Sequence, residues 1–512
     1  MGEKLKSRIL YTGKNIFWGY ISTFLTTILS FICRTAFIKT IGVDFLGING
    51  LYASVLGVLS LTELGIGTAM NYSLYKPVAE NDTEKIKSLM TVFKSAYRIV
   101  AIVVTVLGLM ILPFLDVLVT GADGIKNVKF YYLFFLFNTV STYFVSYKYS
   151  LVNADQKNYV ITNITAVFNI AMHAFQIAVL FIFESYVAYL IIQAIMQLIQ
   201  KIYTAIYIDK HYPYLKEKNV TPLEKNEKKK IITNVKALIL HKIGDISVNQ
   251  TDNIIISAFI NVTTVGLVSN YTLITNTVNT FVNVAFGGTI GSLGNLFASS
   301  DKKKQHEVFR AMDFVDFWIY SFSSIALFSL IQPFISLMWG NLTLPISVVA
   351  LFVLNNYMVG QRVSVNNIKI AGGIFNQDKY LAIIQSIVNL VVSVALAFKF
   401  GIIGVYIGTI VSGVIPSLVR PWIVYKNLFD DSVFKYYKDY FLRLILTIIM
   451  CAGAYFGVNY IMQELTWGRF FISVLTVGIV PNLILFVLFF RASEFKYLLS
   501  ILKMLFKKVV RR

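Results

Sequence analysis

An all-α, polytopic membrane protein of about 14 transmembrane helices is the fold class this 512-residue sequence predicts. Three observations predict it. Hydrophobic residues make up 56% of the chain and charged ones 14%, with a mean hydropathy of +0.68. A water-soluble chain of that composition would expose large apolar patches. Apolar runs of about 20 residues, the length that crosses a bilayer core, follow one another with short breaks. Most of the 46 Lys and Arg collect in alternate connections, the positive-inside pattern. That placement accounts for the formal net charge of +20 without any nucleic-acid partner.

The spans fall near residues 15–38, 44–70, 95–116, 128–149, 159–183, 186–208, 236–261, 264–292, 312–338, 345–368, 380–399, 402–425, 440–462 and 470–490. Lys4, Lys6, Arg8 and Lys14 put the N-terminus in the cytoplasm, and an even number of spans returns the C-terminus there. The segment Met1–Lys14 is basic and leads into a full-length span, so no cleavable signal is read there. The tail Arg491–Arg512, with Lys503, Lys507, Lys508, Arg511 and Arg512, suits anionic headgroups. Cys33 and Cys451 both lie in apolar runs and read as small core residues rather than a disulfide.

The longest soluble segment contains LEKNEKKK and is too short and too charged to fold alone. It divides two repeats. Gly47 and Gly266 are 266 − 47 = 219 apart, and the same shift pairs Tyr52 with Tyr271, Ser73 with Ser292, Ala79 with Ala298 and Asp82 with Asp301. Pro113-Phe114 and Pro333-Phe334 match at a shift of 220, and the segment 155–159 matches 376–380 at 221. Six spans per repeat keep both copies in one orientation, with the substrate path between them. The predicted division is therefore a six-helix lobe at 1–208, a cytoplasmic linker at 209–235, a second six-helix lobe at 236–427, an extra helix pair at 428–490 and a basic tail at 491–512.

An ionisable side chain at membrane depth costs about 2.5–3.5 kcal/mol or more, so each one asks for a reason. Arg34 lies late in the first span. It either reaches outward to the headgroups or serves as an anion ligand, for which its planar fork suits a phosphate. Glu63 lies roughly 28 Å along the second span at 1.5 Å per residue, too deep to pair with Arg34. It is read either as a structural hydrogen-bonding group or as a proton-coupling acid; Gly65 and Gly67 beside it suit close helix packing. Lys242, Asp245 and Asp252 share one face of the least apolar span, and the first two fall in an interfacial stretch on the alternative reading. Arg362 sits in a polar strip with Gln361 and Asn366-Asn367; Arg420 sits between Pro416 and Pro421. His173 reads as a satisfied core residue rather than a proton relay.

The sequence has no GxxxxGK[ST] loop, no HExxH and no Cys/His cluster. No nucleotide motor, metal site, catalytic residue or cofactor is therefore expected, and the few acids make no convincing pair for sugar transfer. The short outside loops disfavour the rival class, a membrane glycosyltransferase or polysaccharide polymerase.

Arg34 is followed by Thr-Ala-Phe-Ile-Lys-Thr-Ile-Gly42, then by Leu46-Gly47-Ile48-Asn49-Gly50-Leu51-Tyr52, Glu63-Leu64-Gly65-Ile66-Gly67 and Tyr75-Lys76-Pro77. In these stretches, its span count and its linker, the chain resembles the Wzx-type oligosaccharide flippases of polysaccharide biosynthesis. They belong to the MOP superfamily, which also holds the MurJ lipid II flippases and the MATE exporters. The resemblance implies a V-shaped pair of lobes with a cationic cavity in the bacterial cytoplasmic membrane. The implied cargo is an undecaprenyl-pyrophosphate-linked oligosaccharide, moved from inner to outer leaflet by alternating access. Arg34 matches a cavity-lining Arg of that family. Lys242, Arg362 and Arg420 are the further substrate-binding candidates; Glu63, Asp252 and Asp245 are the candidates for coupling to protons or sodium. Membrane lipids, a polysaccharide polymerase and glycosyltransferases are the implied partners. The denser Arg cluster that the lipid II branch carries in its first two helices is not matched, which counts against lipid II as the cargo. A MATE-like small-molecule or cation antiporter and a lipid II flippase are the other transport readings.

Overall fold

The computed structural model describes residues 21, 23–60, 66–121, 124–217, 220–225, 227, 229, 231, 233, 250–286, 301–374, 377–429 and 431–510. Regular structure among them is helical throughout. Nine helices are long and apolar enough to cross a membrane among the described residues. Contacts within the chain divide it into two compact units, Met1–Ser269 and Asn270–Arg512.

In the first unit the helices are α1 (23–40), α2 (Val43–Leu59), α3 (Ile66–Glu80), α4 (Thr83–Ile111, running on by short turns to Leu118), α5 (Val128–Ala154), α6 (Asn158–Phe183), α7 (Tyr186–His211) and α8 (250–259), followed by the start of α9 (Val262–Phe286). α4 begins well before the predicted span at 95, because Asp82 accepts a hydrogen bond from Lys85 N at 2.9 Å and caps it. The apolar run alone gives no sign of that cap, so hydropathy leaves Lys85 and Lys87 between the spans at 44–70 and 95–116. α5 lies at the centre, packed against α2, α3, α4, α6 and α7. Its Tyr132 and Leu151 are fully buried with Ile48, Leu51, Tyr52 and Met70. The outward faces carry exposed apolar side chains such as Ile99, Ile102, Phe181 and Ile182, while Gln176 and Thr204 are buried. Apolar outside with polar inside is the distribution a lipid surround selects. The described part of the linker docks on α4: Lys87 Nζ pairs with Glu217 at 2.6 Å, Ser88 Oγ donates to Thr221 O at 2.5 Å and Lys85 pairs with Glu227.

In the second unit α9 continues, followed by α10 (Lys302–Trp339), α11 (Ile346–Gly360), α12 (Val363–Ala371), α13 (Leu381–Phe400), α14 (Ile402–Val424, continued by a π turn to Phe429), α15 (Phe434–Ile461), α16 (Trp467–Phe489) and α17 (Ser493–Val510). α10 is 38 residues long and is capped by Asp301, which accepts from Lys304 N at 2.9 Å. It is the core of the unit, packed against α11, α12, α15, α16 and α17. The predicted tenth span, 345–368, is two helices rather than one, broken at Gln361-Arg362. α13 and α14 pack closely because Gly404 and Gly408 leave room: a Cβ on Gly408 would lie 2.2 Å from Ser393 Oγ. The basic tail is helical, and Phe495 at its start stacks on Trp318 with ring centres 5.8 Å apart.

Candidate functional site

Arg34 projects from α1 and donates through Nη1 to Ser269 Oγ at 2.8 Å; Ser269 Oγ in turn donates to Gly266 O at 2.9 Å. The guanidinium is therefore oriented inside the first unit by a neutral hydroxyl. Next to it, Cys33 Sγ donates to Gln176 Oε1 at 3.7 Å, and His173 Nδ1 lies 3.3 Å from the same oxygen. His173 is thus a hydrogen-bonded interior residue. Cys33 and Cys451 are both free thiols.

Asp252 is half-buried on α8, which is pinned to α2 on one side and to the end of α4 on the other. Asn253 Nδ2 donates to Ser54 Oγ at 3.0 Å, and Ser257 Oγ donates to Leu118 O at 2.5 Å. Glu63, Lys242 and Asp245 lie outside the described residues, so the shared face expected for Lys242, Asp245 and Asp252 is seen only at Asp252.

Arg362 is buried, 8% exposed, in the turn between α11 and α12 rather than within a continuous helix. Arg420, on α14, donates through Nη1 to Asn366 Oδ1 at 3.1 Å and lies 3.4 Å through Nε from Asp378 Oδ2. Lys369 Nζ approaches the same oxygen at 2.5 Å. One carboxylate therefore serves two cations. Asn366 and Arg420, both singled out in the sequence, are brought together; Asp378, which joins them, was noticed only as part of a repeated segment.

Other buried charges escaped the sequence reading. Asp313 on α10 pairs with Arg443 on α15 at 2.6 Å, and the guanidinium lies over the Phe317 ring at 5.1 Å. Asp316, one turn further along α10, accepts from Ser364 N at 2.6 Å. In the first unit Lys201 Nζ donates to Asn138 O at 2.7 Å and Ser141 Oγ at 2.8 Å. Acids three apart in MDFVDFW, at the start of an apolar run, were the signal for the α10 pair.

These helices, with charged groups held at membrane depth, define a multi-pass membrane protein. Its fold is that of MOP-superfamily transporters. A structure described as the lipid II flippase MurJ in an inward closed conformation matches with a TM-score of 0.62 at 16% identity, over 92% of this chain and 98% of that one. An inward-facing MATE multidrug-resistance transporter matches at 0.57 and 14%, over 80% and 98%. A MOP-superfamily transporter from Pyrococcus furiosus matches at 0.52 and 13%, over 81% and 95%. The chain belongs to the polysaccharide biosynthesis protein family, whose model matches residues 12–290. No curated protein matches it. It is a multi-pass protein of the inner membrane.

Proposed function

We propose that the chain is a flippase for an undecaprenyl-pyrophosphate-linked oligosaccharide, carrying it from the inner to the outer leaflet of the bacterial cytoplasmic membrane by ion-coupled alternating access. The observation that carries this reading is membership of the polysaccharide biosynthesis family in a chain whose fold is shared with transporters. Arg34, Lys242 and Arg362 are the groups for the pyrophosphate, with Arg420 positioned by Asp378 and Asn366. Glu63, Asp252 and Asp245 are the coupling acids.

Two repeats of six spans, with an extra helix pair, underlie the cycle. Two pairs of matched local features support them. Asp82 and Asp301, 219 apart, each cap the long third helix of their half. Tyr52 and Tyr271, also 219 apart, each tie their helix to the start of the fourth: Tyr52 donates to Val128 O at 2.6 Å, and Tyr271 OH accepts from Leu344 N at 2.9 Å.

The test is export of a lipid-linked sugar in cells lacking their own flippase, with membrane abundance measured in parallel. Restored export supports the reading; restored drug efflux without sugar export would replace it with a MATE-like one. Glu63→Gln is expected to weaken dependence on the ion gradient while sparing abundance. Unchanged gradient dependence would reassign Glu63 to structure and move the test to Asp252.

A further inference from the structure

The apolar segment Ile346–Ala371 is interrupted in its second half. Gln361 N closes on Tyr357 O at 2.9 Å, and Arg362 N reaches back only three residues to Val359 O at 3.3 Å. α12 then starts afresh, and its early amides need acceptors. One comes from another helix: Ser364 N donates to Asp316 Oδ2 at 2.6 Å, and the Ser364 hydroxyl donates to the same oxygen. Asp316 thus caps α12 from α10. It is 0% exposed, and its second oxygen, Oδ1, is buried without a hydrogen-bond partner.

The surroundings of Asp316 hold little free charge. On its own helix Asp313 is paired with Arg443 of α15, and Tyr320 follows one turn later. On α12, Lys369 is paired with Asp378, which Arg420 of α14 also approaches. On α11 the nearest polar groups in the chain are Gln361 and Tyr357, with Arg362 two residues before Ser364; on α17, Glu494 is taken by Arg310. Among the described residues no cation lies within ion-pair distance of Asp316. Burying an ionised carboxylate under those conditions costs several kcal/mol, so a carboxyl kept here is one that takes up a proton.

A polar line leads away from it. Asp316, Tyr320 and Ser324 are spaced i, i+4, i+8 and share one stripe of α10, about 12 Å long at 1.5 Å per residue. The Tyr320 ring packs on Gly360, where a Cβ would lie 2.0 Å from Cδ1. Ser324 Oγ and Gln361 Nε2 are buried with no hydrogen-bond partner. Ser324, Tyr357 and Thr447 are the polar members of an otherwise apolar cavity of about 180 Å³ between α10, α11 and α15.

We propose that Asp316 is a proton-binding site of the second unit: Oδ1 takes the proton, Oδ2 holds the start of α12, and protons reach Oδ1 along the Tyr320 and Ser324 stripe of α10. The step forms and breaks one O–H bond and nothing else. An ionised carboxylate accepts hydrogen bonds roughly twice as strongly as a neutral partner. Protonation therefore loosens the cap on α12, the helix that begins just after Arg362 and carries Asn366 and Lys369. The use of that proton in transport rests on the flippase reading; the site itself does not.

Infrared difference spectra of the full-length protein in lipid vesicles, recorded across a pH titration without substrate, test the site. A carboxylic-acid carbonyl band that shifts in D2O is expected to appear with pH in the natural chain and to be lost in Asp316→Asn, which can still accept from Ser364. Ser364→Ala is expected to shift the pH at which that band appears, and Ser324→Ala to slow its appearance without removing it. A band unchanged in Asp316→Asn, or one present at every pH, would overturn the proposal. Export measured with and without a pH gradient separates the two readings. If Asp316→Asn loses the band yet exports with unchanged gradient dependence, the proton site stands and its coupling role falls.

Discussion

Gly47 and Gly266 lie where two helices of the first unit touch backbone to backbone. A Cβ on Gly47 would be 1.9 Å from Val262 O, and one on Gly266 would be 2.3 Å from Val43 O. The pairs are related by one shift, 262 − 43 = 219 and 266 − 47 = 219, so each helix offers the other the same carbonyl. Thr263 and Asp44, also 219 apart, are joined by a 2.7 Å hydrogen bond from the hydroxyl to the carboxylate. A reciprocal contact of this kind is what a two-fold relation produces. Either glycine replaced by alanine forces the helices apart, at about 1–3 kcal/mol for overpacking. Thermal unfolding in detergent is expected to show that loss for Gly47→Ala and Gly266→Ala. A Gly124→Ala control, where a Cβ meets nothing within 4 Å, should not move. Equal stability in all three would remove the crossing from the account.

Arg34 separates two roles by its partner. If it only reaches to headgroups, Lys serves as well; if it grips a pyrophosphate, fork geometry matters. Losing one charge-assisted hydrogen bond costs about 1.5–3 kcal/mol, roughly ten- to a hundredfold in binding. Arg34→Ala is expected to abolish export at normal abundance and Arg34→Lys to impair it. Ser269→Ala, which removes the hydroxyl that holds Nη1, is expected to weaken export less. Full export by Arg34→Ala would remove Arg34 from the site.

Asp378 holds Lys369 and Arg420 together, and its side chain is 1% exposed. Asp378→Asn removes the carboxylate that Lys369 and Arg420 share, and breaking a buried pair in this way costs about 3–5 kcal/mol. The expected result is a large fall in melting temperature, partly restored by adding Lys369→Met. Asp378→Asn at natural stability would mean that solvent reaches the cluster.

Orientation is open to impermeant thiol labelling on intact cells. The charge bias puts Lys225 inside and the segment 121–126 outside. Gly121 itself is a poor reporter: its φ is +69°, and a Cβ there would lie 2.7 Å from Asn261 Cβ. Lys126 is exposed and serves instead. Lys126→Cys is expected to react and Lys225→Cys to stay unlabelled; the reverse pattern would invert the topology.

Helices at membrane length were legible in the sequence because apolar runs and basic loops are properties of consecutive residues. All nine long apolar helices among the described residues overlap a span read from hydropathy. Matched letters at a shift of 219, such as Asp82 and Asp301, are also visible in the run of residues. The partners were not legible. Asp313 and Arg443 are 130 positions apart, and neither run of residues says which helix will face which. The break at Gln361-Arg362 was hidden for the same reason. Ser364 leaves the helical ladder because Asp316, 48 positions earlier on another helix, supplies the acceptor. Composition determined that this chain is a bundle in a membrane, because burial in lipid depends on the run of side chains alone. Which charges are neutralised, and which carboxyl is left with an unpartnered oxygen, was decided only when packing brought polar atoms of distant helices within about 3 Å of one another.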